Sequence, residues 1–144
     1  TLNENELKNH MGSYIGLYPK VLFDFLKERT LCDDKKEVYE LNKIPSSSEE
    51  YKVVLNVLNN YTFCRFNEFN VQMIASALAL GVIPIVDYKY ELHGLEKNVH
   101  YIDTLVHVND VDKNSIVDNI NTNKLIIRSC KEFLVNLLDN IFVR

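Results

Sequence analysis

A glutamate stands at position 68, between an aromatic and β-branched run and a strongly apolar run. The segment 66–70 is typical of a turn that ends a strand and begins a helix, with Asn67 to Asn70 able to cap that helix. A helix start presents backbone N–H groups and the positive end of a dipole, so it can hold a phosphate. Glu68 could accept hydrogen bonds from sugar hydroxyls, or it could simply stabilise the helix dipole. The segment therefore predicts an anion site, with both roles of Glu68 open.

Three further residues could contribute to such a site. Gly16 would let a backbone approach a ligand closely, and Lys20 could pair with a diphosphate or lie in solvent. Arg65, at the end of the aromatic run, could form an ion pair with Glu68 or reach a ligand phosphate. The phosphate-binding fingerprints G-x-G-x-x-G and G-x-x-x-x-G-K are absent from the sequence. The prediction is therefore a local anion site without a nucleotide-binding fingerprint.

Metal and nucleophile chemistry have little support in the sequence. Cys32, Cys64 and Cys130 are widely spaced and form no C-x-x-C pair, so we predict neither a zinc site nor a disulfide framework. Cys64 lies in an apolar run and is expected to be a small buried side chain. No H-x-x-x-H pair occurs, and no Ser/His/Asp or Cys/His order stands out. We expect a reducing, cytoplasmic compartment and no metal.

The totals of the chain exclude two function classes. A formal net charge of -4 argues against a general nucleic-acid binder, because such proteins need a basic face to neutralise phosphates. No apolar run approaches the ~20 residues that span a bilayer, so we expect a soluble protein without a transmembrane segment. A length of 144 residues fits one domain with a substantial core.

Helices and strands that would position this site alternate along the chain. We predict helices at 19–29, 49–59, 71–80, 112–120 and 125–143, and strands at 13–18, 37–41, 61–66, 82–86 and 100–108. Gly81 is expected to end the third helix. The alternation favours one Rossmann-like α/β domain over residues 1–144, with a parallel sheet and helices on both faces. Ligands in such sheets bind at the carboxyl ends of the strands, near a switch in strand order, so the candidate ligand loops are those around residues 16–20, 44–49, 66–70 and 87–94.

Residues 68–86 read E-F-N-V-Q-M-I-A-S-A-L-A-L-G-V-I-P-I-V. This segment resembles the donor-binding segment of GT-B glycosyltransferases, where a glutamate and a glycine-bearing turn precede a helix ending in E-A-L-A-x-G and a P-x-V strand. Glu68 matches the family's first glutamate, which contacts hydroxyls of the donor sugar, so the resemblance implies a catalytic-site role for it. The neighbouring Asn67, Phe69 and Asn70 would then bind the donor, with backbone amides facing its phosphates. More loosely, Gly16 to Lys20 is similar to the family's first loop, where a basic residue meets the diphosphate.

The sequence departs from the family pattern at the nucleotide. Ser76 stands where the family has a second glutamate that binds the ribose, and Phe69 and Asn70 replace the usual glycines. The chain has the length of one of the two lobes of a GT-B enzyme. The resemblance thus implies a nucleotide-sugar substrate, no separate cofactor or metal, and a second domain or subunit that supplies the acceptor site.

Two other interpretations stay open. Residues 37–90 also have a loose likeness to BTB/Skp1-like interaction domains, whose apolar helices would form a partner interface without a ligand. The predicted strand 100–108 and the lack of an opening hairpin weigh against that reading. A third interpretation is a degenerate glycosyltransferase-like scaffold that keeps the fold but not the activity, and Ser76 supports it.

Overall fold

The computed structural model describes residues 19–92 and 95–122. In order along the chain, its elements are α1 (Pro19–Glu28), β1 (Lys36–Leu41), α2 (Ser48–Leu58), β2 (Tyr61–Phe66), α3 (Val71–Ala79), β3 (Ile83–Val86), β4 (Ile102–Asp103), a 3-10 helix (Val108–Asp110) and α4 (Lys113–Thr122). The predicted strand 13–18, the predicted helix 125–143 and Gly16 lie outside the described residues.

The four strands form one parallel sheet in the order β1-β2-β3-β4. Phe63 on β2 pairs with Val38 on β1 and with Ile83 on β3, and Ile85 pairs with Ile102 on β4. The prediction of a Rossmann-like α/β domain with a parallel sheet is confirmed. Each strand lies beside the one before it, so the strand order does not reverse within 19–92 and 95–122. The expected switch in strand order is therefore not found in this part of the chain.

The centre of the sheet is buried on both faces. All four residues of β3 are buried, and so are the neighbouring Phe63 and Cys64 of β2. Successive residues of a strand point to opposite faces, so both faces of these strands are covered. Both α3 and α4 contact β3. This two-sided burial explains why 82–86 is a nearly continuous apolar run in the sequence.

A buried hydroxyl pair joins α2 to α3. The Tyr51 hydroxyl lies 2.6 Å from Oγ of Ser76, and neither side chain is exposed to solvent. The Ser76 hydroxyl also donates to the carbonyl of Gln72 at 2.8 Å. Since a serine hydroxyl has a single hydrogen, it must accept the hydrogen of Tyr51. The contact fixes α3, whose start lies at the carboxyl edge of the sheet.

Gly81 ends α3 in a left-handed conformation, with φ of 72°. We expect Gly81→Ala to lower the free energy of unfolding by about 1–2 kcal/mol, because a Cβ disfavours this conformation. The Cβ would also lie 3.1 Å from Oδ1 of Asn121. Urea unfolding of Gly81→Ala in the natural and in the Asn121→Ala background separates the two causes. The loss of unfolding free energy should remain in the Asn121→Ala background. If the loss vanishes there, crowding by Asn121 is its cause instead.

The strand predicted at 100–108 is much shorter than its alternating pattern indicates. Asp103 ends it, because its Oδ1 accepts the Leu105 N–H at 2.9 Å and turns the chain. Its Oδ2 lies 3.3 Å from Nζ of Lys97, which holds the carboxylate in place. The Thr104 N–H still donates to the carbonyl of Val86 at 3.0 Å. The aspartate turn thus overrides the local strand pattern.

His100, just before β4, gives folding a dependence on pH. Its Nδ1 accepts the N–H of Glu96 at 3.1 Å. Burial lowers the pKa of His100, and the charge of Glu96 opposes part of that shift. The unfolded chain therefore binds this proton more readily, so the stabilisation is present above the ordinary pKa of about 6.5 and is lost as the pH falls below it.

We expect the urea midpoint of the protein to fall between about pH 7.5 and about pH 5.5, partly through His100. In His100→Asn an amide oxygen can replace Nδ1 as the acceptor but does not titrate, so the fall in the midpoint should be smaller. A variant whose midpoint falls as steeply as that of the natural protein would contradict a role for this histidine.

Candidate binding site at the carboxyl ends of two strands

A cavity of about 320 Å³ opens at the carboxyl ends of β2 and β3. The ends of these two strands and the loops that follow them line the cavity. The lining residues are Phe66, Asn67, Glu68 and Phe69 from the first loop region, and Val86, Asp87, Lys89 and Tyr90 from the second. Parallel neighbouring strands end at the same edge of a sheet, so the loops that follow them lie side by side. The cavity therefore brings together three predicted site residues, Asn67, Glu68 and Phe69, with a second loop. That loop contributes a negative charge, a positive charge and an aromatic ring.

Glu68 offers an unengaged carboxylate at this cavity. Its side chain is exposed, and no hydrogen bond or ion pair joins it to another residue of 19–92 or 95–122. An ion pair between Glu68 and Arg65, one of the two alternatives predicted for Arg65, is not found among the ion pairs of these residues. An exposed carboxylate without a protein partner can accept hydrogen bonds from a ligand without first breaking an internal contact.

Arg65 does not line the cavity. It precedes Phe66 in β2, so its side chain leaves the sheet on the opposite face from that of Phe66. Its Nε is buried and has no hydrogen-bond partner among residues 19–92 and 95–122. The structure therefore does not bring Arg65 to the cavity that holds Glu68.

Asn70 caps the helix that begins beside the cavity. Its side chain accepts the Met73 N–H at 3.0 Å, while Asn67 instead contacts the side chain of Asn42. The cap satisfies one early N–H of α3. By helix geometry the N–H groups of Val71 and Gln72 have no carbonyl partner within the helix. These two amides and the helix dipole remain able to interact with an anion.

The second loop is a turn organised by Asp87. Its Oδ1 accepts the Lys89 N–H at 3.2 Å, and its backbone carbonyl accepts the Tyr90 N–H at 3.0 Å. Nζ of Lys89 lies 4.0 Å from Oδ2 of Asp87 and 5.6 Å from the centre of the Tyr90 ring. Because this ion pair is exposed, it contributes little energy, and the ammonium can turn toward a ligand.

Phe69 and Tyr90 join the two loops through a stacked aromatic contact. Their ring centroids are 4.3 Å apart, with 23° between the ring planes. Phe69 is 38% exposed and Tyr90 is 37% exposed, so the pair forms part of the wall while its edges stay open to solvent. The stack supplies an apolar surface beside the charged groups.

The other predicted site residues that the structure describes, Ser76 and Lys20, belong to helices. Ser76 is fully buried between α2 and α3, with its hydroxyl bound to Tyr51 and to the Gln72 carbonyl, and it does not line the cavity. Lys20 is the second residue of α1. Cys64 is buried as expected, and burial raises the pKa of its thiol to about 12.

The sequence points to the loop around 87–94, but it does not identify Asp87, Lys89 and Tyr90 within that loop as site residues. The signal for their loop was present, since they directly follow the apolar run 82–86 and so had to lie at the carboxyl edge. The loop has no periodicity, however, and therefore nothing in its sequence shows which side chains line a cavity.

Within the part of the chain that the structure describes, no helix is long and apolar enough to cross a membrane, and no group of three or more His, Cys, Asp or Glu side chains could hold a metal ion. Comparisons of the chain with protein-family models, curated proteins and solved structures gave no match.

Proposed function

We propose that the cavity binds a nucleotide sugar and that the domain is the donor-binding lobe of a glycosyltransferase. One observation carries the proposal: an unengaged carboxylate, Glu68, and an exposed cation, Lys89, line a cavity beside the capped start of α3. The resemblance of residues 68–86 to the GT-B donor segment supports the same assignment.

The diphosphate of the ligand would lie at the start of α3. There the N–H groups of Val71 and Gln72, the helix dipole and Nζ of Lys89 all favour negative charge. As the bond between sugar and diphosphate breaks, charge develops on the leaving phosphate, and fixed N–H dipoles stabilise it without reorganising. A lysine in this loop would take the part that the resemblance assigns to Lys20.

Glu68 would hold the sugar by accepting hydrogen bonds from its hydroxyls, and so would fix the ring relative to the diphosphate. The acceptor would come from a second domain or subunit across the cavity. In this arrangement Glu68 positions the reacting sugar, and the start of α3 stabilises the negative charge that develops on the leaving diphosphate.

Residue 76 would contribute little to the binding of the ribose. Ser76 is enclosed by Tyr51 and its own helix, so the contact made by the family's second glutamate has no counterpart at this residue. The diphosphate and the sugar would then contribute most of the affinity. We therefore expect UDP and GDP to bind with similar affinity.

The interaction-domain alternative has less support, because α3 would have to offer an apolar face to a partner. Its residues from Gln72 to Ala79 are all buried. A donor-binding domain without transferase activity remains compatible with the same cavity, and the buried Ser76 is the observation that favours it.

Calorimetric titration of the full chain with UDP, GDP, UDP-glucose and GDP-mannose tests the proposal. We expect saturable binding of at least one sugar nucleotide, weakened by Lys89→Ala by about tenfold, the usual cost of a charge-assisted contact. Lys113→Ala is the matched control, since Lys113 lines a different cavity. Absence of binding by all four ligands, or an equal loss in both variants, would contradict the proposal.

A further inference from the structure

We infer that the sugar recognised in this cavity is electrically neutral, and that Glu68 and Asp87 together exclude sugars that carry a carboxylate. The inference rests on the proposed function, because it concerns the sugar part of the same ligand. It goes further by assigning a specificity role to Asp87, a residue of the second loop.

The charges that line the cavity are unbalanced. Two carboxylates, Glu68 and Asp87, face one ammonium, that of Lys89. They come from different loops, so a ligand in the cavity lies between them. Nζ of Lys89 is 4.0 Å from Asp87, and among the described lining residues it is the cation that could also pair with a diphosphate. When Lys89 turns to the diphosphate, neither carboxylate keeps a positive partner among the lining residues.

Ionised carboxylates only accept hydrogen bonds. Sugar hydroxyls can donate to them, so a neutral sugar satisfies both Glu68 and Asp87. A sugar carboxylate has no hydrogen to donate and adds a third negative charge to the cavity. Juxtaposed like charges select strongly against a ligand, and an acidic sugar should therefore bind at least about tenfold more weakly.

The size and wall of the cavity suit a single sugar ring. A volume of about 320 Å³ is at the lower end of the range for ligand pockets, so the nucleotide would extend outside it toward α3. The stacked Phe69 and Tyr90 give one apolar wall, against which the C–H face of a pyranose can pack. Polar acceptors on two loops and an aromatic wall match a ring that has hydroxyls at its edge and an apolar face.

Two matched ligand pairs test the inference by calorimetry on the full chain. UDP-glucose and UDP-glucuronic acid differ only at C6, where a carboxylate replaces the hydroxymethyl group, and GDP-mannose and GDP-mannuronic acid differ in the same way. We expect the neutral member to bind at least about tenfold more tightly. Asp87→Asn should narrow this ratio by raising the affinity for the acidic member, and it keeps the acceptor oxygen that holds the Lys89 N–H. Asp118→Asn, a change at an exposed carboxylate on α4, should leave the ratio unchanged.

The outcomes separate this inference from the proposed function. Binding of UDP or GDP together with equal affinities for the acidic and neutral sugars would overturn the inference alone. So would a ratio that Asp87→Asn leaves unchanged. Absence of binding by every nucleotide and sugar nucleotide would overturn the proposed function, and the inference with it.

Discussion

Ser76→Glu is expected to lower the free energy of unfolding by about 3–5 kcal/mol, the usual cost of an uncompensated buried charge. The substitution introduces the glutamate that the GT-B pattern has at this position. In this protein, however, residue 76 is fully buried and its hydroxyl accepts the hydrogen of Tyr51. A longer, charged side chain would displace Tyr51 and place a charge among the buried apolar residues of the core. Urea unfolding followed by circular dichroism measures the loss.

Ser76→Ala is the matched control for that experiment. It leaves the Tyr51 hydroxyl without its Ser76 acceptor, so we expect a smaller loss, about 1–3 kcal/mol. The losses of Ser76→Ala and Tyr51→Phe should be less than additive in the double variant, because both substitutions remove the same hydrogen bond. A Ser76→Glu protein that keeps its stability and gains nucleotide affinity would contradict the burial argument and show that residue 76 reaches the ligand.

Glu68→Gln is expected to weaken UDP-glucose binding by about ten- to a hundredfold, since a hydrogen bond to a charged group contributes about 1.5–3 kcal/mol. UDP affinity should stay constant or rise, because a carboxylate near the diphosphate repels it. Glu68 is exposed, so the free energy of unfolding should change by no more than about 0.5 kcal/mol. Calorimetry with both ligands and urea unfolding measure the three quantities.

Glu49→Gln is the control for the charge change alone. Glu49 is exposed in the first turn of α2 and does not line the cavity. It should leave the affinity for UDP-glucose unchanged. Equal losses of UDP and UDP-glucose affinity in Glu68→Gln would show that Glu68 does not contact the sugar. An equal effect of Glu49→Gln would show that only the overall charge matters.

Much of the fold was predictable because local signals agree with one another around the site. The strand 61–66 has β-branched and aromatic content, and it is found at Tyr61–Phe66. The next helix has an asparagine cap at its start and a left-handed glycine after its end, so Asn70 and Gly81 mark its limits to within a residue or two. These signals are local, and a single sequence contains them.

Other features depend on contacts between distant residues and could not be predicted in the same way. Asp103 shortens β4 through a turn that also involves Lys97. The enclosure of Ser76 depends on Tyr51, which lies on a different helix. The order of the strands, and the choice of Asp87 and Lys89 as cavity residues, likewise follow from how the loops meet. The loops that carry Glu68 and Asp87 were predictable, but which of their side chains line one cavity was not.

The most direct measurement is an NMR titration of the ¹⁵N-labelled full chain with UDP-glucose and with GDP-mannose. We predict that the largest amide shift changes lie at residues 67–72 and 87–90, around the cavity at the carboxyl ends of β2 and β3. The amide shifts around the second cavity, at the amino ends of β1 and β2, should not change; Lys35 and Asn109 line that cavity. Shift changes centred on that second cavity would contradict the proposed donor site. So would the absence of shift changes at 67–72 and 87–90 with both ligands.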